Sequence, residues 1–265
     1  MHNFKNLTQE MPTTLILGGY IPTPNSEPMT LSIQRSSGHF CGGTLIKPNK
    51  SLTAAHCYTR RSSPSEYTLV AGAHHLMHNE ANQQRRVATS FRTHEAYNKD
   101  TMINDIALVT HSSFQINDFV AIIPLPARRD KEWIKEGTKL KMCGWGETKF
   151  PGDGDMADAL HCVEVEYILT KECNKRTHYN GNIRNGMFCA ASSGKDSCNG
   201  DNGGGATNVY EVLGVKSWGY GCGQASYPGK TSSSSRFYDD KYTVEGVYTD
   251  VAIFREWLDH NINKD

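Results

Sequence analysis

Residues 198–205 read Cys-Asn-Gly-Asp-Asn-Gly-Gly-Gly, a glycine-rich stretch around a carboxylate, Asp201, and a carboxamide, Asn202. Asn202 has no nucleophilic chemistry to offer. Its nitrogen is delocalised into the carbonyl, so no neighbouring histidine can unmask a lone pair on it. A second group with chemical potential is the run holding His74, His75 and His78. Imidazoles this close suit either an exposed polar loop or a transition-metal site, and exposed loop histidines are the expectation. The third group is eight cysteines at wide, uneven spacings with no CxxC pair, which favours disulfides over zinc and an oxidising compartment.

The elements that must position these residues are mostly strands. At 265 residues the chain makes one large all-β domain or two smaller ones, with enough length for a full core. Lys+Arg and Asp+Glu balance at 28 each, which excludes a bulk field for nucleic acid or anionic membrane. No window approaches the ~18 apolar residues of a membrane span. Met1–Leu15 has no apolar core of the signal-peptide kind, whereas the cysteines argue for secretion; the cysteines weigh more. Runs rich in Val, Ile, Tyr and Thr between turn residues predict strands at Met29–Gln34, Tyr67–Ala71, Ile106–Thr110, Lys139–Cys143, Val163–Ile168 and Val212–Ser217. Val251, Phe254, Trp257, Leu258 and Ile262 recur at helical spacing and predict a C-terminal amphipathic helix. Lys230–Gly246 is polar, contains Ser232–Ser235 and reads as an exposed loop.

Residues 16–265 resemble the chymotrypsin/trypsin (S1) family of serine proteases. The resemblance rests on Ile16-Leu17-Gly18-Gly19, Leu52-Thr53-Ala54-Ala55-His56-Cys57, Asn104-Asp105-Ile106-Ala107-Leu108, Gly144-Trp145-Gly146, Met187-Phe188-Cys189-Ala190 and Ser217-Trp218-Gly219, in the family's order. It implies two six-stranded antiparallel β-barrels packed face to face, closed by a C-terminal helix, after a pro-like segment at residues 1–15. It also implies His56 as general base and Asp105 as the group that fixes its tautomer. The family's Gly-Asp-Ser-Gly-Gly motif carries the nucleophile on its serine; here Asn202 stands in that place, so His56 and Asp105 are expected to be vestigial. Gly200 and Asn202 would supply the oxyanion-hole amides. In the family that hole forms when cleavage frees the amine matching Ile16 to pair with the aspartate matching Asp201. Leu15 precedes Ile16, with no Lys or Arg for a tryptic activator. An uncut, zymogen-like state is the simpler expectation, with Asp201 serving another partner. Asp196 matches the base of a trypsin-type pocket that favours Arg or Lys, with Ser217, Trp218, Gly219 and Gly229 along its walls.

The resemblance also pairs Cys41 with Cys57, Cys173 with Cys189 and Cys198 with Cys222. The fourth pair, Cys143 with Cys162, follows if the strands around them form a hairpin. In the stretch matching the family's calcium loop, Ala73–Gln84, only Glu80 remains of the carboxylates, so no metal or cofactor is expected. Lys50 replaces an apolar residue and Gly205 a proline of the pattern, without an assigned role. Lys230–Gly246 interrupts the pattern beside the pocket, and a partner-recognition loop and a retained intron stand as equal readings. The leading functional expectation is a secreted, monomeric protease homologue that acts by binding protein or peptide ligands, such as protease inhibitors or cascade proteases. An active endopeptidase cleaving after Arg or Lys, its nucleophile altered by engineering or sequence error, is the alternative. A non-functional gene product is the third.

Overall fold

The apolar residues of each short run need one inward face, and their backbone groups need partners on both sides; closing six strands into a ring meets both needs and leaves no open edge. The computed structural model of the chain describes residues 19–129, 133–147, 156–175, 179–191, 200–219 and 246–264. Within them two such rings occur. The first contains β1 (Thr30–Arg35), β2 (Gly38–Lys47), β3 (Lys50–Thr53), β4 (Thr68–Ala71), β5 (Gln84–Thr93) and β6 (Ala107–His111), closed in the order β1-β2-β3-β6-β5-β4. The second contains β7 (Lys139–Gly144), β8 (His161–Ile168), β9 (Met187–Ala191), β10 (Gly205–Thr207), β11 (Val212–Gly219) and β12 (Gly246–Asp250), closed as β10-β11-β12-β9-β8-β7. Every pairing is antiparallel. This is the all-β, two-barrel architecture that the resemblance implied.

Two short α-helices accompany the barrels, α1 (Thr170–Cys173) and α2 (Arg255–Asn261). The expected C-terminal helix is shorter than its apolar period, because Val251–Phe254 form turns in which the Asp250 carboxylate accepts the Ala252 amide at 3.0 Å. Leu258 and Ile262 still bury, together with Val251 and Phe254, in the same core cluster as Leu31, Ile33 and Leu52 of the first barrel. That cluster also takes in Val212 and Val215 of β11, so one apolar core crosses the seam between barrels. Lys50 is buried as well; its ammonium bonds Thr110 Oγ1 at 2.9 Å and the Lys264 carbonyl at 2.8 Å, which ties β3 and β6 to the C-terminus.

At the seam the two barrels meet main chain to main chain. A Cβ on Gly42 would stand 2.8 Å from Gly204 Cα and 2.9 Å from its nitrogen, closer than any side-chain carbon tolerates. Three disulfides lock the described parts: Cys41–Cys57, Cys143–Cys162 and Cys173–Cys189. Cys143 and Cys162 face each other as direct cross-strand partners on β7 and β8, the hairpin that the pairing required. Cys198, Cys222 and residues 230–245 lie outside the described residues. No helix among the described residues is long and apolar enough to cross a membrane.

Candidate active site

His56 sits on a single 3₁₀ turn, Ala55–Cys57, immediately after β3, and the disulfide from Cys57 to Cys41 pins that turn to β2. Asp105 lies just before β6, behind Asn104 in a left-handed conformation (φ 58°) of the sort asparagine tolerates. The two meet twice. The Asp105 carboxylate accepts the His56 backbone amide at 2.9 Å and the ring Nδ1–H at 2.7 Å. With Nδ1 committed as donor, Nε2 is the acceptor nitrogen of the ring. Asp105 is fully buried and the His56 side chain 23% exposed, so the ring alone of the pair meets solvent.

The second barrel completes this network. Ser217, on β11, donates its hydroxyl to Asp105 Oδ2 at 2.5 Å, and Thr249, on β12, donates to the Asp105 carbonyl at 2.8 Å. Sequence reasoning put Ser217 in the substrate pocket. Ser217 does lie on β11, the strand matching the pocket wall; its hydroxyl is spent on Asp105 and the residue is 2% exposed. Burial, and next the Asp105 carboxylate, push the nearby Tyr97 phenol up to about 12.

Asn202 is placed against this pair by its backbone. Its carbonyl accepts the Gly42 amide at 2.7 Å and lies 3.7 Å from Cys57 Sγ, while His56 Nε2 lies 3.9 Å from the same sulfur. Gly203 follows with φ 82°; a Cβ there would meet Thr53, Gly42 and Cys57, so the turn admits only glycine. Among the described residues no hydrogen bond joins the Asn202 side chain to His56. The arrangement can hold a proton acceptor with a fixed tautomer beside a carboxamide. Among the described residues no hydroxyl is positioned to give that acceptor a proton.

Two neighbours of Asn202 are fixed as firmly. The Gly200 carbonyl accepts His39 Nε2–H at 2.9 Å, and the Ser32 hydroxyl donates to His39 Nδ1 at 2.8 Å. Burial drives the His39 imidazole down to about 4, partly offset by the Gly200 carbonyl, so the ring is a neutral prop at ordinary pH. Sequence reasoning missed His39. Asp201 is buried and accepts the Gly146 amide at 3.0 Å, with Gly144 packed so closely that a Cβ would strike the carboxylate. Among the described residues the Gly200 and Asn202 amides have no acceptor.

Along the strand matching the pocket wall, Trp218 stands edge-on to Tyr179 at 5.1 Å, and Gly219 pairs with Gly246. Lys216, given no role from sequence, is 3% exposed. Its ammonium lies 3.4 Å from the Trp218 carbonyl, 5.2 Å from the Tyr248 ring centroid, and 2.5 Å from where a Cβ on Gly246 would be. Leu15, Ile16, Asp196 and Gly229 lie outside the described residues. In the stretch matching a calcium loop, His74 is buried rather than exposed: Leu160 N–H and the Trp145 indole both donate to its carbonyl, and Glu80 accepts its amide at 2.6 Å.

Comparison with known proteins fits this architecture. The family model "Trypsin" matches residues 16–241. Trypsin alpha of Drosophila melanogaster is 36% identical over 245 residues, spanning 92% of this chain and 86% of that protein. Trypsin delta of the same fly is 34% identical over 248 residues (93% and 88%), and Trypsin-3 of Salmo salar 32% over 253 residues (94% of each). The chain belongs to the trypsin family of serine proteases.

Proposed function

We propose that this protein is a trypsin-family homologue without peptidase turnover, secreted and acting by binding a protein or peptide ligand. The observation that carries the reading is Asn202 on the loop beside an intact His56–Asp105 pair. Loss of the serine costs about 10⁶ in turnover in a bacterial serine protease, or roughly 8 kcal/mol of barrier. Ser217, engaged with Asp105, is no replacement; Ser197 lies outside the described residues. Binding needs less: Gly200 and Asn202 amides can meet a carbonyl oxygen, and Asp196 can attract a cationic side chain. Plausible occupants are a protease inhibitor held without cleavage or a cascade protease that uses the chain as cofactor.

The test is covalent labelling. Purified protein, before and after cleavage at Leu15–Ile16, should neither hydrolyse Arg or Lys amide and ester substrates nor react with a fluorophosphonate. Stoichiometric labelling mapped to this site would overturn the reading and favour an active endopeptidase.

A further inference from the structure

We propose that His75, His78 and Asp158 form a binding site for a divalent transition-metal ion, with zinc as its probe. The residues come from two segments, the loop that follows β4 and the stretch that leads into β8, which meet through an isolated bridge between His75 and Ala159. Asp158 Oδ2 lies 2.9 Å from His75 Nδ1 and 3.5 Å from His78 Nε2, and one ligand atom from each residue falls within 4.8 Å of the others. A tetrahedral zinc ion with bonds of about 2.0–2.1 Å holds neighbouring ligand atoms ~3.3 Å apart. The two carboxylate–imidazole distances bracket that spacing, so only the two imidazoles need draw together. A histidine–carboxylate pair alone would explain His75. His78, 71% exposed, faces the same oxygen, which puts a second imidazole on that carboxylate.

The ligands are already held from behind, as metal ligands need to be. Asp158 Oδ1 accepts the Met77 amide at 2.7 Å and the Asp158 carbonyl accepts the Leu76 amide at 3.0 Å. Gln83 Nε2 bridges the carbonyls of His75 and His78, at 2.8 Å each. On the core side, His74 Nδ1 is buried with no hydrogen-bond partner among the described residues, and its ring lies 4.9 Å from that of His75. Two imidazoles and one carboxylate make a nitrogen-rich, borderline-soft set. It suits zinc, copper(II) or nickel(II), whereas calcium wants six or more oxygens. Solvent reaches the three side chains, which leaves water for the remaining coordination position.

An ion here staples the 156–160 segment to the loop after β4. That segment carries Met156, whose sulfur backs Gly200: a Cβ on Gly200 would come within 2.8 Å of it. Metal binding would therefore stiffen the support of the loop that bears Asn202, and it does so whether or not the chain has peptidase activity.

The experiment is a calorimetric titration of the full, disulfide-intact chain, free of any affinity tag, with Zn²⁺ and with Ca²⁺, alongside amide hydrogen exchange across residues 156–160. One zinc per chain is expected, no calcium, and slower exchange in that segment on zinc addition. His78→Ala removes an exposed side chain and should leave the metal-free thermal midpoint unchanged while weakening zinc by at least about tenfold. His260→Ala, on α2, should bind zinc as the wild type does. Absence of saturable zinc binding, a His78→Ala protein within about tenfold of wild type, or calcium binding as tight as zinc, overturns the proposal.

Discussion

Replacing Asp105 by alanine should destabilise the fold by about 3–5 kcal/mol, the range for removing one partner from a buried ionic network. The figure can be built from what the carboxylate accepts: the His56 backbone amide at 2.9 Å, the His56 ring N–H at 2.7 Å and the Ser217 hydroxyl at 2.5 Å. Each donor stranded in the interior costs about 1–3 kcal/mol, so three give an additive ceiling of ~9. Two of them have relief. The ring, 23% exposed, can turn toward water, and the hydroxyl can rotate. The backbone amide, fixed in the 3₁₀ turn, cannot. Asp105→Asn keeps the shape and one acceptor and should cost about 1–3 kcal/mol. Equilibrium urea unfolding at neutral pH with disulfides intact, both variants against wild type at equal m-values, measures this. A loss under about 1 kcal/mol for Asp105→Ala would refute the idea that His56 and Asp105 persist here as structure, and would make retained chemistry the better reason for them.

Asn202→Ser alone should not restore full trypsin-like activity, whereas the same change with Leu15→Arg and tryptic cleavage should raise it strongly; high activity in the uncut single variant refutes the activation block. After cleavage, benzamidine should bind the wild type weakly, and Asp196→Ala should abolish that binding. Calorimetry decides, and equal affinity in Asp196→Ala would place the ligand elsewhere. Acid should destabilise the protein through its buried histidines. Burial, only partly offset by the Ser112 carbonyl, holds His111 down at about 4. Between about pH 6.5 and 4 the unfolded chain alone takes that proton, so stability is full above 6.5 and falls by up to about 1.4 kcal/mol per pH unit for this residue. A His111→Asn variant with an unchanged pH slope would count against this.

Much of the frame was legible in the chain because it depends on local order. The predicted runs at 29–34, 67–71, 106–110, 139–143, 163–168 and 212–217 all fall on strands, with ends displaced by a residue or two. β5 escaped notice because Arg85, Arg86 and Arg92 interrupt its apolar alternation, the first two on opposite faces of the strand. For Ser217 the place on the strand is a matter of sequence, while the direction of its hydroxyl is set by an aspartate from the other barrel and was not legible. Lys216 left a signal that went unused, a lone charge inside the apolar run from Val212 to Val215 and Trp218. His74 looked exposed because its neighbours are polar, but the buried Trp145 indole needs an acceptor and finds the His74 carbonyl.

The contact of Gly42 with Gly204 bears on how such a chain recognises anything. Where Gly42 meets Gly204, backbone touches backbone, and no side chain at that point can swing aside to let the floor beneath Asn202 move. At Asn202 the loop is tied to that floor, its carbonyl accepting the Gly42 amide at 2.7 Å. A partner docking on that floor therefore forfeits little conformational entropy of the protein, and preorganised surfaces of this type convert their few polar contacts into affinity with small loss. Catalysis asks for such rigidity to hold a transition state. On the proposed reading, in which nothing is cleaved, the same rigidity favours slow dissociation of whatever fits.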